Sequence, residues 1–179
     1  MPPGPTGRVV ASSRSDGPNR AEVRTVRLSE WCASAPSGDA VSPKVLAVVE
    51  PILAALGTGR DPACWVTWGD EPATRWGLLA PASAGLVTLA VRVNIPQEGP
   101  RASGKLIRWS RVQVGDFAAE MQGGHRFASA TLEGVVLRGM DEDADRSGAF
   151  LQGIFAALDG RPVPDEAPPA TAARGAPAG

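Results

Sequence analysis

Three stretches of this chain carry residue types that can do chemistry. The first, Gly99-Pro100-Arg101-Ala102-Ser103-Gly104-Lys105, matches most of a phosphate-cradling P-loop. That chemistry needs a Ser or Thr after the Lys to hold magnesium, and a helix N-terminus whose free N–H groups meet the phosphates. Leu106 stands where the hydroxyl belongs, and Ile107-Arg108-Trp109-Ser110-Arg111-Val112 reads as strand. A phosphate- or nucleotide-binding protein, or an enzyme, using 99–105 with Asp116, Asp141 or His125 is therefore the second reading. An ordinary loop is the first. The second stretch, Asp141, Glu142, Asp143 and Asp145, begins like a calcium loop, but Arg146 replaces the turn glycine and Gln152 the bidentate Glu. These acids read instead as favouring a helix N-terminus through its dipole. The third is His125, the only histidine, beside Gly123-Gly124. No nucleophile elbow, HExxH pair or Cys–His signature accompanies it, so it reads as a surface-turn residue. No catalytic residue, metal ligand or cofactor is assigned.

A broader feature is charge. Arg92, Arg101, Lys105, Arg108 and Arg111 fall within one short stretch in which Glu98 is the only acid. If the strand at 86–95 neighbours one at 105–109, several of these charges share one end of a sheet. Such a basic rim can hold a phosphate, a lipid headgroup or an acidic peptide segment; the plainer reading is a solvated strand face. These five are the candidate binding residues. Trp109 among them is compatible with base stacking, but core packing is the commoner use of tryptophan, and Trp65, Trp68 and Trp76 read the same way. Net charge is −1, and 16 of the 18 basic residues are Arg in a chain without Tyr. That composition looks like GC-rich coding, so the Arg count does not argue for a nucleic-acid partner. Cys32 and Cys64 are too few for a disulfide scaffold and too far apart for a metal knuckle; they read as half-buried thiols in a reducing cytoplasm.

The elements that must position these residues centre on 86–95. Val87, Leu89, Val91, Val93 and Ile95 point one way and Thr88, Ala90, Arg92 and Asn94 the other, the period-2 pattern of a strand with one buried face. Upstream, Leu28 to Cys32 suggests a short helical turn capped by Ser29. Ser42 as N-cap, Pro43 at the first position, an apolar stripe (Val45, Val48, Val49, Ile52, Leu53, Leu56) and Gly57 define a helix over 43–56. Pro51 is expected to kink or split it. Strands follow at 64–68 and 75–80, a turn at Ala84-Gly85, a loop over 96–104, then strands at 105–109 and 112–122 with irregularity near Ser110 and Gly115. Gly123-Gly124 makes a hairpin turn, and 125–138 returns as a strand with a bulge at Gly134. The last helix has the stripe Phe150, Leu151, Ile154, Phe155 and Leu158, ended at Asp159-Gly160.

Residues 1–25, rich in Pro, Gly, Ser and Arg, and the Pro/Ala-rich residues 161–179 lack periodicity and read as disordered arms around one folded unit, 26–160. No secretory h-region or membrane-spanning run is visible, so a soluble cytoplasmic protein is expected. The fold class is α+β: a curved antiparallel sheet or small barrel of about six or seven strands, with an N-terminal helix and a C-terminal amphipathic helix. The run Lys105 to Val112, the Gly123-Gly124 hairpin and the stripe Phe150 to Leu158 resemble the pleckstrin-homology-like barrel of many bacterial proteins over about 64–158. The resemblance implies a binding or assembly module without catalysis. The alternative is a two-layer α/β sandwich, similar to small secretion-chaperone domains, in which both long helices cover one sheet face. Strand over 105–122 favours the barrel and helix there favours the sandwich. The partner expected is a protein or an anionic ligand, and an exposed strand edge can also pair with a second copy.

Overall fold

The alternation that begins at Leu86 is realised in three dimensions. Val87, Leu89, Val91 and Val93 are buried, while Ala90 and Arg92 are exposed. The computed structural model describes residues 21–34, 42–71, 75–93 and 96–161. The expected Asn94 and Ile95 positions, and most of both terminal arms, lie outside them. Among the described residues the chain is α+β, with eight strands in two antiparallel sheets and three α-helices. No helix there is long and apolar enough to cross a membrane.

The first sheet has five strands in sequence order: β1 (Glu22–Arg24), β2 (Trp65–Glu71), β3 (Arg75–Ala82), β4 (Gly85–Arg92) and β5 (Arg101–Arg108). The second has three: β6 (Val114–Gln122), β7 (His125–Leu132) and β8 (Val135–Met140). A parallel bridge from Ala21 to Leu137 ties the start of β1 to β8. The sheets are not closed into a barrel through β5 and β6, which are joined by a 3-10 turn over Trp109–Arg111. Segment 105–122 is therefore strand, turn and strand, without an α-helix.

The helices occupy different cores. Helix α1 (Leu28–Ser34) and helix α2 (Pro43–Leu56) cover one face of the five-stranded sheet, burying Leu28, Val45, Val49 and Leu53 against Trp65, Leu78, Val87 and Leu89. Helix α3 (Glu142–Leu158) buries Phe150, Leu151 and Ile154 in a second core, with Leu132 and Leu137 of the small sheet and Val66, Leu79 and Leu86 from the opposite face of the large one. The sandwich alternative, with both long helices on one face, is not what forms. Strand β3 serves both cores, so Trp76 to Ala80 are buried in succession.

Local structure follows the caps. Gly57 ends α2 in a left-handed conformation (φ 92°), its N–H reaching Leu53 and Ala54 carbonyls. Of the expected kink or split at Pro51, the split does not occur: the helix is continuous through Pro51, which is exposed. At the start of α1 the Asp61 carboxylate accepts from Ser29 N (2.8 Å) and Oγ (2.7 Å), so the cap comes from a distant loop. Three boundaries move. Strand β1 lies within the residues assigned to the N-terminal arm, because Glu22 to Arg24 pair with Thr67 to Trp65. The loop expected over 96–104 stops at Pro100, because Ala102 packs against the first core and continues the alternation of Leu106. Gly104 is part of the same strand, and a Cβ there would come within 2.9 Å of Ile52, so α2 rests on it. The strand expected over 125–138 is a hairpin, turned by Glu133 (φ 51°) and Gly134 (φ 78°) rather than bulged. Eight strands therefore replace the six or seven expected.

Candidate functional site

Strand register decides which of the basic residues meet. Across β3, β4 and β5 the Cα partners are Arg75 with Arg92 and Arg92 with Arg101. Three arginines thus stand side by side at one end of the five-stranded sheet, spanning about 10 Å at the usual strand spacing. All three belong to the sheet face turned away from α2, since they alternate in phase with Leu79 and Leu86 of the second core. All three are exposed. Glu98 holds Arg101 at 2.9 Å. Arg92, in the middle, has no ion pair among the described residues.

The surface beside this row is flat. Trp68 lies over Gly77, where a Cβ would come within 2.3 Å of its ring. Gly77 is opposite Ala90, and Ala90 opposite Ser103. Lys105 is on the same face, opposite Thr88 and about 13 Å along β5 from Arg101 at the usual rise. The patch is a shallow floor of small residues with an aromatic wall, three guanidinium groups at one end and one ammonium at the other. Guanidinium forks of this kind suit phosphate or carboxylate oxygens. The patch offers no nucleophile with an adjacent base.

The five candidate binding residues therefore divide. Arg92 and Arg101 adjoin, and Lys105 shares their face. Arg108 is at the far end of β5, opposite Gly85, and odd spacing from Lys105 turns it to the other face. Arg111 is in the 3-10 turn beyond. Sequence reasoning missed Arg75. The signal was the hairpin turn: placed at Ala84-Gly85 it sets Arg75 opposite Asn94, whereas the actual turn at Ser83-Ala84 sets it opposite Arg92. The P-loop-like segment has no cradle either, since Arg101 to Lys105 are paired strand and no helix begins at Lys105.

His125 does have a carboxylate beside it. Its Nδ1 is 2.7 Å from Asp141 Oδ2, and the other oxygen, Oδ1, accepts from the Arg126 backbone N–H at 3.0 Å. These bonds hold the Asp141 carboxyl below its ordinary range, the Arg126 N–H chiefly and His125 next. Asp141 begins α3 but makes no side-chain cap to it; Arg126 also reaches Asp145 at 2.6 Å. Among the described residues no hydroxyl or thiol bonds His125, so the cluster fastens the β6–β7 hairpin to α3 and lacks the nucleophile a triad needs. Glu142, Asp143 and Asp145 fill the first turn of α3, and among the described residues no group of three His, Cys, Asp or Glu side chains converges as metal ligands would.

A cleft of about 1070 Å³ opens at the other end of the large sheet, beside Arg27, Arg60, Cys64, Trp109 and Arg161. Both α2 and α3 end there, so their last carbonyls present negative partial charge to these cations. Arg27 donates to the Asp61 carbonyl and Arg161 pairs with Asp159. Burial pushes the Cys64 thiol up to about 11, and burial with the Asp61 charge pushes Cys32 up to about 12, so neither is a ready nucleophile. The tryptophans pack: Trp31 meets Trp65 and Trp76 edge-on at 5.0 and 5.9 Å, and the indole N–H of Trp109 donates to the Ser83 carbonyl. Compared with protein-family models, curated proteins and solved structures, the chain matches none.

Proposed function

We propose that this chain is a non-catalytic binding or scaffold domain that takes an anionic group of a protein partner on the Arg75–Arg92–Arg101 row, with Lys105 as a second contact. The observation that carries the reading is the register, which sets three guanidinium groups on adjacent strands beside a flat, exposed floor. Packing does not require them there, and like charges directly opposite one another oppose pairing. Glu98 offsets part of that cost at Arg101, and a bound phosphate or carboxylate cluster offsets more of it. The free thiols of Cys32 and Cys64 support a reducing, cytoplasmic setting. The run of antiparallel strands followed by a packed C-terminal helix supports kinship in kind with pleckstrin-homology-like modules.

The test is a titration of the isotopically labelled full chain with inorganic phosphate, then with a phosphoserine peptide and an Asp/Glu-rich peptide, followed by backbone amide shifts. Shifts at Gly77, Ala90, Arg92, Arg101 and Ser103 are expected, lost in Arg92→Ala/Arg101→Ala and kept in Arg108→Ala/Arg111→Ala. Undiminished binding by the first variant would remove the arginine row from the function. Saturable binding of a nucleotide with magnesium, abolished by Lys105→Ala, would restore the phosphate-cradle reading in its place.

A further inference from the structure

Strand β6 closes the small sheet on one side and pairs only with β7 among the described residues. From Asp116 to Gln122 it is exposed along its whole length, including Phe117 at 58% and Met121 at 70%. Between it and α3 runs an apolar groove of about 450 Å³, floored by Ala128 and Leu151 and bordered by Phe117 and Phe155, whose rings are 5.9 Å apart. Phe155 was expected to be core and instead stands at this mouth, 38% exposed. A long strand edge beside exposed aromatics is a template for pairing.

The hairpin geometry says which groups face outward. Gly123 (φ 61°) and Gly124 (φ 85°) make a two-residue turn, so Gln122 and His125 form its hydrogen-bonded closing pair. Alternation then directs the N–H and C=O of Met121 and Ala119 away from β7, toward the open edge. The register centred on Ala119 lets the whole 117–121 segment pair with that of a second copy. With the two-fold axis at Ala119, Ala119 meets the partner's Ala119, Phe117 meets the partner's Met121, Glu120 meets the partner's Ala118, and Asp116 meets the partner's Gln122. Moving the axis to Ala118 sets Glu120 against the partner's Asp116, and moving it to Glu120 sets that residue against its own copy. Both place like charges directly opposite. The favoured register also brings each Met121 over the partner's Phe117 and Phe155, an arrangement thioether and aromatic groups favour. The bulge at Gly115–Ala118, with Asp116 at φ 53°, limits the pairing to the segment from about 117 to 121.

From this geometry we propose that the chain self-associates by antiparallel β6–β6 pairing about Ala119, forming a six-stranded sheet and covering the groove of each copy. The dimer presents two arginine rows, which raises avidity for a partner bearing repeated anionic groups.

The experiment is sedimentation velocity of the full chain over a wide concentration range, combined with hydrogen exchange of 114–122. Concentration-dependent dimerisation with protection at Ala119 and Met121 is expected. Ala119→Pro removes a donor that faces away from β7, so the monomer fold is retained while self-association weakens by roughly tenfold to a hundredfold. Phe117→Lys should weaken it as well, and Phe117→Lys/Met121→Glu should restore it by pairing opposite charges across the axis. A monomer at every concentration overturns the proposal. If its edge amides are nonetheless protected, another part of the same chain is the occupant. Dimerisation indifferent to all three variants places the interface elsewhere and also overturns it.

Discussion

Replacing Arg92 by Thr should make the free protein more stable and the ligand-bound protein less so. Arg92 stands directly between Arg75 and Arg101, and opposite Cβ atoms in such pairs are about 5 Å apart. With guanidinium groups splayed to about 6 Å, each repulsion is worth about 0.7 kcal/mol in water before screening. At an ionic strength of about 0.15 M it falls to roughly half. Glu98 already offsets part of the Arg101 charge, so the relief at low salt is about 0.5–1 kcal/mol. Threonine also suits a strand better by a few tenths of a kcal/mol. For a domain of this size that raises Tm by about 2–4 °C. The assay is thermal unfolding at low and high salt, with and without added phosphate. The Arg92→Thr gain should shrink as salt rises, and phosphate should raise Tm of the wild type more than that of the variant. A loss of stability at low salt would show that Arg92 has a structural partner and that the row is not held in mutual repulsion. Equal phosphate stabilisation of both proteins would break the link between row and ligand.

Two further outcomes test the frame around the site. Gly139→Ala places a Cβ within 2.3–2.4 Å of the Asp143 and Ala144 backbone, so α3 must lift from β8 at a cost of about 2–3 kcal/mol in urea unfolding; Gly148→Ala, with nothing within 4 Å inside the same helix, should instead be neutral or stabilise by up to about 1 kcal/mol. Asp141→Asn should loosen the β6–β7 tip, read as faster hydrogen exchange at His125 and Arg126. Because the Asp141 carboxyl is depressed in the folded state, its contribution is fully present above its ordinary pKa of 3.8 and lost as pH falls through the lower folded value; the difference between wild type and variant should therefore vanish in acid.

Much of the scaffold was legible because its signals are local. The period-2 run at 86–93 and the Ser42-Pro43 start and Gly57 stop of α2 each depend on neighbours within a few residues. Turns made by unusual residues were harder. Glu133 at positive φ is uncommon for a residue with a Cβ, so Glu133-Gly134 read as a bulge inside one strand when it reverses the chain. Arg101 to Gly104, small and glycine-bearing, read as loop; their strand conformation is set by β4 on one side and by α2 resting on Gly104. The bond between His125 and Asp141 joins residues whose proximity depends on β8 delivering α3 beside the hairpin. No spacing in the chain announces it.

The arginine row was hidden for a related reason, and that reason bears on what it is for. The partner of Arg75 follows from the β3–β4 register, which is locked by apolar residues: Trp76, Leu78 and Ala80 must enter the first core and Leu79 the second. A slip of one residue would exchange the two sets and expose the tryptophan side to the wrong core. The arginines have no part in that lock. They lie at the strand ends, exposed, where a threonine would serve the sheet as well and without repulsion. The fold thus fixes three like charges in one line; Glu98 offsets part of the Arg101 charge, and under the proposed reading an anion bound across the row offsets more of the repulsion. Lys105 fits the same account, since its alternation keeps it on the row's face, while Arg108 and Arg111, carried to the far end of β5 and the turn beyond, do not.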